Sequence, residues 1–550
     1  MDHHYKASKE AFVSGMTGSS ISHINMVSFA ALSSVALHSA LRTRLPPRKS
    51  TYFPLELLIL VLPLLLSITL FANSPGLLNL IILFTTGLLL LIPRREAGTP
   101  LPSNSSPSRA SSPTKEADRS ISTLSITPLP ALTTYRAHLM LLTCLSILAV
   151  DFPVFPRVLA KCETYGVSMM DLGVGSFVFS QGIVSAAPLV KNPAHLKAPL
   201  LPKLATVIRK CLPLIVLGIF RTLSVKGVEY PEHQTEYGTH WNFFFTLAAI
   251  PVLQVLLHPA MIYLPISLLG MLVALVQQFA LYYGGMQEYV LTAPRLSLVS
   301  HNKEGIVSLT GYLAIHLLGL STGTLLLPPT PSYFRRRQRN LTRPLPQSSR
   351  ARSHDSDSES DDDGGSARGR SHKASVESPI KRENDKTAIE LCSYTVLWWV
   401  FLAAAKLYGV GGDVSRRLAN LQYIVWVAAY NTTFLLGYLC LDLLFFASPF
   451  SKSIYDPNSK LKVRPDPTVL DKRAGRKREV EGGSAPALLD AINLNGLVLF
   501  LVANVATGLV NLSMRTMYMS EWAAMSVLSV YAIAICGAAW AFRRKRLWRF

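Results

Sequence analysis

An all-α, polytopic integral membrane protein with about thirteen transmembrane helices is the fold class predicted by three observations. Charged residues are only 16% of the 550-residue chain, against about 25% in ordinary soluble proteins. Hydrophobic residues make up 49% and the mean hydropathy is +0.30, although several long stretches are strongly polar. Apolar runs of about 20 residues, enough to cross a bilayer core as a helix, recur from end to end. A soluble enzyme, a disordered scaffold and a disulfide-built secreted protein are thereby excluded. The formal charge of +21, from 54 Lys and Arg against 33 Asp and Glu, would suit nucleic acid if it formed a patch. Here it sits in loops between apolar runs, as membrane topology requires, so no nucleic-acid partner is expected. None of the six cysteines forms a C-x-x-C pair, so neither a structural zinc site nor a disulfide framework is expected.

The apolar segments lie near 20–40, 54–72, 76–92, 135–151, 166–186, 205–221, 238–258, 261–281, 306–327, 388–409, 421–447, 487–511 and 520–542. Leu55–Ala72 (LELLILVLPLLLSITLFA) is the clearest. Segment 166–186 is Gly- and Ser-rich and carries Asp171, which suits packing against other helices rather than lipid. The first segment follows a polar stretch and reads as a retained span, not a cleaved signal. The basic clusters Arg42–Lys49, Arg335–Arg339, Lys472–Arg478 and Arg543–Arg546 fall on one side when the loops alternate. That places the C-terminus in the cytosol and the N-terminus on the lumenal or external side. The chain, 1–550, reads as a single membrane domain with polar cytosolic loops at 94–130, 328–386 and 448–486. These loops hold too few apolar residues to order themselves and are predicted flexible. Sequons occur at Asn104, Asn340, Asn431 and Asn511, and only Asn511 is placed where a glycan could be added.

An ionisable group at membrane depth is costly, so polar residues near span ends are where chemistry is sought. The first such stretch is Asp151-Phe-Pro-Val-Phe-Pro-Arg157-Val-Leu-Ala-Lys161. The prolines stop the preceding helix. A helix restarting at Pro156 would put Arg157 and Lys161 on one face, opposite Asp151. A carboxylate can accept the proton of an attacking hydroxyl, and an ammonium can stabilise the oxyanion of acyl transfer. The same spacing suits a structural salt bridge equally well. The second stretch runs from Tyr230 to Phe245 and includes His240, Trp241 and Asn242. It suits a polyol headgroup beside an acyl chain, with His240 able to act as a base; an aromatic belt and a helix cap would use many of the same residues. The third opens at Asn302 and carries His316 inside an apolar run. Such a histidine fits an interhelical hydrogen bond, and is also a hallmark of membrane-bound O-acyltransferases. The fourth, Val414-Ser-Arg416-Arg417-Leu-Ala-Asn420, puts a basic pair on the basic-poor side. That suits an anionic ligand such as a phosphate, or snorkelling at a helix end. No Walker loop, nucleophile elbow or H-E-x-x-H is present.

These stretches, in this order, resemble the GPI-anchored wall transfer protein family, the inositol acyltransferases of GPI-anchor biosynthesis. The resembling residues are Lys9–Ser14 with Gly18-Ser19-Ser20, DFPVFPRVLAKCETYG at 151–166, MDLGVGSFVFSQG at 170–182 and EYPEHQTEYGTHWNFFFT at 229–246. They continue with NKEGIVSLTGYLAIHLLG at 302–319, VSRRLANL at 414–421, and Asn504 with Thr507–Asn511. The long Ser/Pro-rich and acidic loops are similar to those of fungal members.

The resemblance implies a multi-pass enzyme of the endoplasmic reticulum that moves a palmitoyl-type group from acyl-CoA to the inositol of glucosaminyl-phosphatidylinositol. It implies Asp151 and Lys161 as the catalytic pair, from the family's DFP-x-FPR-x-x-AK motif. A second basic residue often follows that motif's Arg; here the position is Val158, which weakens any case for adjacent arginines on CoA phosphates. The thioester is already activated, so no cofactor or metal is expected, with acyl-CoA serving as co-substrate. Arg157, His240, Trp241, Asn242, Asn302, His316, Arg416 and Arg417 are the candidates for substrate binding. The bilayer is the expected environment, and oligomeric state stays open. A lipid transporter and a non-catalytic lipid-presenting subunit are the rival readings; the halves show no internal repeat of the kind common in transporters.

Overall fold

The computed structural model describes residues 14–45, 52–93, 99–100, 126, 129–226, 234–342, 382–446, 463–464 and 485–547, together with residues 8, 11 and 12. Helices account for almost all of this. Helix α1 (Ile21–Arg44) starts at Ser20, whose side chain accepts from the His23 amide, satisfying one of the orphan donors of a first turn. Helix α2 (Tyr52–Ser67) contains a π turn at Leu57–Val61. Pro63, just beyond, lacks an N–H and crowds the carbonyl one turn earlier, and the wider turn absorbs that misfit. Helices α3 (Pro75–Leu90) and α4 (Pro130–Ala149) each begin with proline in the first turn, where no donor is lost. Helix α5 (Met169–Lys191) is capped by Ser168. Helices α6 (Leu200–Lys226), α7 (Phe243–Leu256) and α8 (Ile266–Tyr282) come next. Beyond α8 the chain bends by 62° into the short helix Met286–Thr292, turning at Gly285 in the left-handed region. The series ends with α9 (Lys303–Leu326), α10 (Tyr333–Thr342), α11 (Asn384–Leu407), α12 (Leu421–Phe445), α13 (Ala487–Leu494), α14 (Gly496–Ser513) and α15 (Glu521–Ala541).

Every apolar segment predicted from the sequence contains helix, although 487–511, read as one span, is divided at Asn495 into two helices. By length and composition, however, eight of the described helices can cross a membrane, or nine if α8 and the helix after its bend form one span. That is fewer than the expected count of about thirteen. Helices α2, α3 and α7 are apolar but short, and α6 interrupts its apolar run with Lys203, Arg209, Lys210 and Arg221. The predicted loops at 94–130, 328–386 and 448–486 lie mostly outside the described residues. One part differs from expectation: α10 sits inside 328–386. Its arginines argue for solvation, but Phe334 is buried. Gln338 Nε2 donates to the Met261 carbonyl at 2.6 Å, and Lys197 Nζ to that of Leu341, also at 2.6 Å. Among the described residues the β structure is a short parallel pairing, Thr99–Pro100 with Val463–Arg464, and an isolated antiparallel bridge between Ser19 and Val167.

Helix α9 forms the centre and packs most extensively against α5. The approach is close because both helices present glycine. A Cβ at Gly182 would stand 2.1 Å from the His316 carbonyl oxygen, and one at Gly319 would stand 2.1 Å from that of Phe179. Membrane helices lack a hydrophobic drive to associate and rely on this backbone-to-backbone packing. Buried polar groups tie neighbouring helices. Asn79 in α3 donates to the Met26 carbonyl at 2.8 Å and accepts from Ser33 at 2.9 Å in α1. Glu56 in α2 accepts from the amides of Ala487 and Leu488 at 3.2 and 2.6 Å. Its carboxylate thereby caps the positive end of α13.

Replacing Gly319 by Leu is expected to cost about 1–3 kcal/mol or more through overpacking, seen as a lower melting temperature of the detergent-purified chain. Gly508→Ala, where an added Cβ meets nothing within 4 Å, should leave the melting temperature unchanged.

Candidate active site

The connections at one end of the bundle form a continuous polar layer. The segment before α1 crosses the connection between α4 and α5: the Ser19 amide donates to Val167 at 2.7 Å, and that of Gly15 to Glu163 Oε1 at 2.9 Å. Gly166 adopts φ +140°, and a Cβ there would lie 2.3 Å from the Thr17 carbonyl; only glycine allows the crossing. The Gly166 amide donates to Val414 at 2.8 Å and Ser415 Oγ to Thr164 at 2.5 Å. The same connection is thus joined to the chain entering α12.

Asp151 lies just past the last turn of α4 and is buried. Pro153 and Pro156 stop the helix, as their chemistry dictates. The chain then makes a single 3-10 turn, Arg157–Leu159, and is extended at Ala160. Arg157 and Lys161 therefore do not share the helix face that i,i+4 spacing predicts. Arg157 turns its guanidinium back onto the chain. It donates to the carbonyls of Val150, Phe152 and Phe155 at 2.8–3.2 Å and stacks over Phe12 at 4.1 Å. Burial lowers its pKa to about 10 against the opposing pull of Asp151, so it stays cationic at neutral pH. Its donors shape the Asp151 turn and are not laid out for a ligand phosphate. Lys161 directs its ammonium to Glu236 at 2.6 Å, an acid on the short helix before α7. Asp151 Oδ2 accepts from Asn511 Nδ2 at 2.8 Å, and Asn511 Oδ1 accepts from Thr516 at 3.3 Å. The predicted catalytic residues thus share one connection while each is held by a partner that spacing did not suggest.

The basic pair is likewise engaged by carboxylates. Arg416 Nε meets Asp171 Oδ1 at 2.5 Å, with both side chains almost fully buried, and its guanidinium lies 5.6 Å from the Tyr237 ring centre. Burial alone would lower the Arg416 pKa, but Asp171, Glu236 and the phenols of Tyr312 and Tyr237 raise it well above its ordinary value. Asp171 Oδ2 accepts from the Cys162 amide and from Ser168 Oγ, both at 2.8 Å. Burial, then Asp171, push the Cys162 thiol up to about 12, which removes it as a nucleophile. Arg417 meets Glu304 Oε1 at 3.0 Å, and Arg295 meets the same oxygen at 2.6 Å. Both arginines thus face acids of the chain itself, while the buried Arg416 Nη1 and Arg417 Nε have no hydrogen-bond partner among the described residues.

The remaining candidates make contacts between neighbouring elements. Asn242 caps α7, accepting from the amides of Phe244 and Phe245, and donates to Gly218 and Thr222. Asn302 Oδ1 accepts from the amides of His240 and Trp241 at 2.9 and 2.8 Å, which latches this loop to the start of α9. Trp241 donates to Thr246 at 2.9 Å and covers Gly305. The His240 ring lies 6.2 Å from that of His301. His316 is fully buried with Nε2 2.8 Å from Gln254 Oε1; this is the interhelical bond expected of a lone membrane histidine. Sequence reasoning did not assign Glu236, Asp171, Glu304 or Asn511 to these contacts. An acid or amide interrupting an apolar run, as at Asp171 and Asn511, is the signal that could have marked them. No group of three or more His, Cys, Asp or Glu side chains able to hold a metal ion occurs among the described residues.

The sequence model of the GWT1 family matches residues 5–542. A protein of Gibberella zeae named GPI-anchored wall transfer protein 1 is 36% identical over 552 residues, covering 97% of this chain and 96% of the relative. A protein of that name from Aspergillus fumigatus is also 36% identical, over 100% of this chain and 99% of its own. Another from Cryptococcus neoformans var. grubii is 42% identical over 76% of this chain and 63% of the relative.

Asp171→Asn should strand a buried guanidinium and cost about 3–5 kcal/mol, read as a large fall in melting temperature and in membrane abundance. The double change Asp171→Leu with Arg416→Met removes both charges and should recover most of that loss.

Proposed function

Because the chain belongs to the GWT1 family, we propose that it is an acyltransferase of GPI-anchor biosynthesis in the endoplasmic reticulum membrane. It moves a palmitoyl-type group from acyl-CoA to the inositol ring of glucosaminyl-phosphatidylinositol. The observation that carries this reading is Asp151. It is a carboxylate kept 3% exposed at the end of a membrane helix, on a turn that Arg157 braces through main-chain carbonyls.

In the proposed reaction Asp151 takes the proton of an inositol hydroxyl as the oxygen attacks the thioester carbonyl. The carbonyl π electrons move to oxygen, and the tetrahedral oxyanion is stabilised by a nearby cation. Lys161 supplies that cation, poised on Glu236 at 2.6 Å with its side chain 36% exposed. Collapse re-forms the carbonyl, expels CoA thiolate, and returns the proton to it from Asp151. The thioester supplies the driving force, so the scheme calls on no cofactor or metal. Positioning the two lipids side by side supplies much of the acceleration, since aligned partners react as one molecule. His240 and Trp241 flank the layer where the headgroup would lie. By the charge rule this layer faces the lumen, opposite the basic helix ends, with the C-terminus cytosolic.

The test is labelled palmitoyl-CoA and glucosaminyl-phosphatidylinositol incubated with the purified chain. Asp151→Asn should lower acylated product by about 10²-fold or more at unchanged protein abundance, and Lys161→Ala by a similar factor. Normal transfer by Asp151→Asn overturns the base assignment. Lipid movement with no acylated product from the native chain would make it a carrier instead.

A further inference from the structure

Asn511 belongs to the last turn of α14, a helix that buries only Leu499, Ala503 and Thr507. Its neighbours Leu509 and Leu512 are largely exposed, at 62% and 64%, as suits a lipid-facing helix. Against that background an amide reaching a buried carboxylate is an exception that packing does not require. The contact joins residues 360 positions apart. Thr516 Oγ1 donates to Asn511 Oδ1 at 3.3 Å, which sets the amide so that its nitrogen, and not its oxygen, faces Asp151. The terminal torsion of an aspartate is broad and soft. A donor held on one oxygen therefore helps to fix the plane in which the carboxylate meets an incoming hydroxyl.

We propose that Asn511 is a positioning residue for acyl transfer, holding the Asp151 carboxylate plane through Oδ2 while Thr516 holds the amide. This rests on the reading of Asp151 as the base. It also removes Asn511 as a glycosylation site, although Asn511-Leu512-Ser513 is a sequon. The nitrogen that would carry the glycan is the one donating to Asp151.

Steady-state kinetics of the full-length purified chain, with labelled palmitoyl-CoA and glucosaminyl-phosphatidylinositol, test the idea. Asn511→Asp keeps the shape but exchanges the donor for an acceptor, and Asn511→Ala removes both. Each should lower kcat by about tenfold or more while KM for either substrate stays within about twofold. The melting temperature of Asn511→Asp should fall, because a second carboxylate beside the buried Asp151 cannot ionise freely, so the split between kcat and KM is the readout that separates positioning from folding. Asn511→Ala added to Asp151→Asn should give no further loss, because both act through one carboxylate. Unchanged kcat in Asn511→Asp, or multiplied losses in the double variant, would overturn the positioning role and leave Asp151 as the base. Normal transfer by Asp151→Asn would overturn both. Ser513→Ala should leave electrophoretic mobility unchanged before and after glycosidase treatment; a glycosidase-sensitive shift abolished by Ser513→Ala would refute the commitment of the Asn511 nitrogen.

Discussion

The buried pair between Asp171 and Arg416 fixes the geometry of the polar layer. Two ions withdrawn from water lose several kcal/mol of hydration each unless nearly every lone pair and donor is met. Here Asp171 also receives the Cys162 amide and the Ser168 hydroxyl, and its own carbonyl accepts from Tyr423 at 2.8 Å. One residue thus ties the start of α5, the start of α12 and the connection leading from Asp151. Arg157 braces the other end of that connection. Lys161 lies between two anchored points, and the reach of its flexible stem decides which acid it meets.

Charge allocation is the theme of the whole layer. Lys161 goes to Glu236, Arg416 to Asp171, and Arg295 and Arg417 to Glu304, while Asp151 receives a neutral amide from Asn511. Lys161 itself is half-buried. Its ion pair with Glu236 is partly screened and can be exchanged at small cost.

The all-helical membrane architecture was legible because apolar run length is a one-dimensional property. A helix cap was legible in the stretch holding Asn242, which caps α7; Ser168 and Asn420 cap α5 and α12 by the same chemistry but were not singled out as caps in the sequence. The number of crossings was not, since α2 and α7 fall short in length and α6 carries charges along its body. The functional stretches stood out as polar interruptions, but spacing misassigned their geometry. The i,i+4 argument for Arg157 and Lys161 assumed a helix, and the arginine used its fork to satisfy carbonyls freed by two prolines instead. Contacts such as Asp151 with Asn511 join opposite ends of the chain, and no local pattern encodes them. His316 followed the commoner expectation for its kind.

Glu56 carries a further consequence, for the order of assembly. Its carboxylate meets amides that lie 431 and 432 positions later, so the cap cannot close until nearly the whole polypeptide has been made. At ribosomal rates of about 5–20 residues per second the acid waits for roughly 20–90 s within the growing bundle. During that interval α1, α2 and α3 can pack on one another, but the Glu56 carboxylate is without these two donors. Losing the C-terminal helices would therefore undo a joint made by α2.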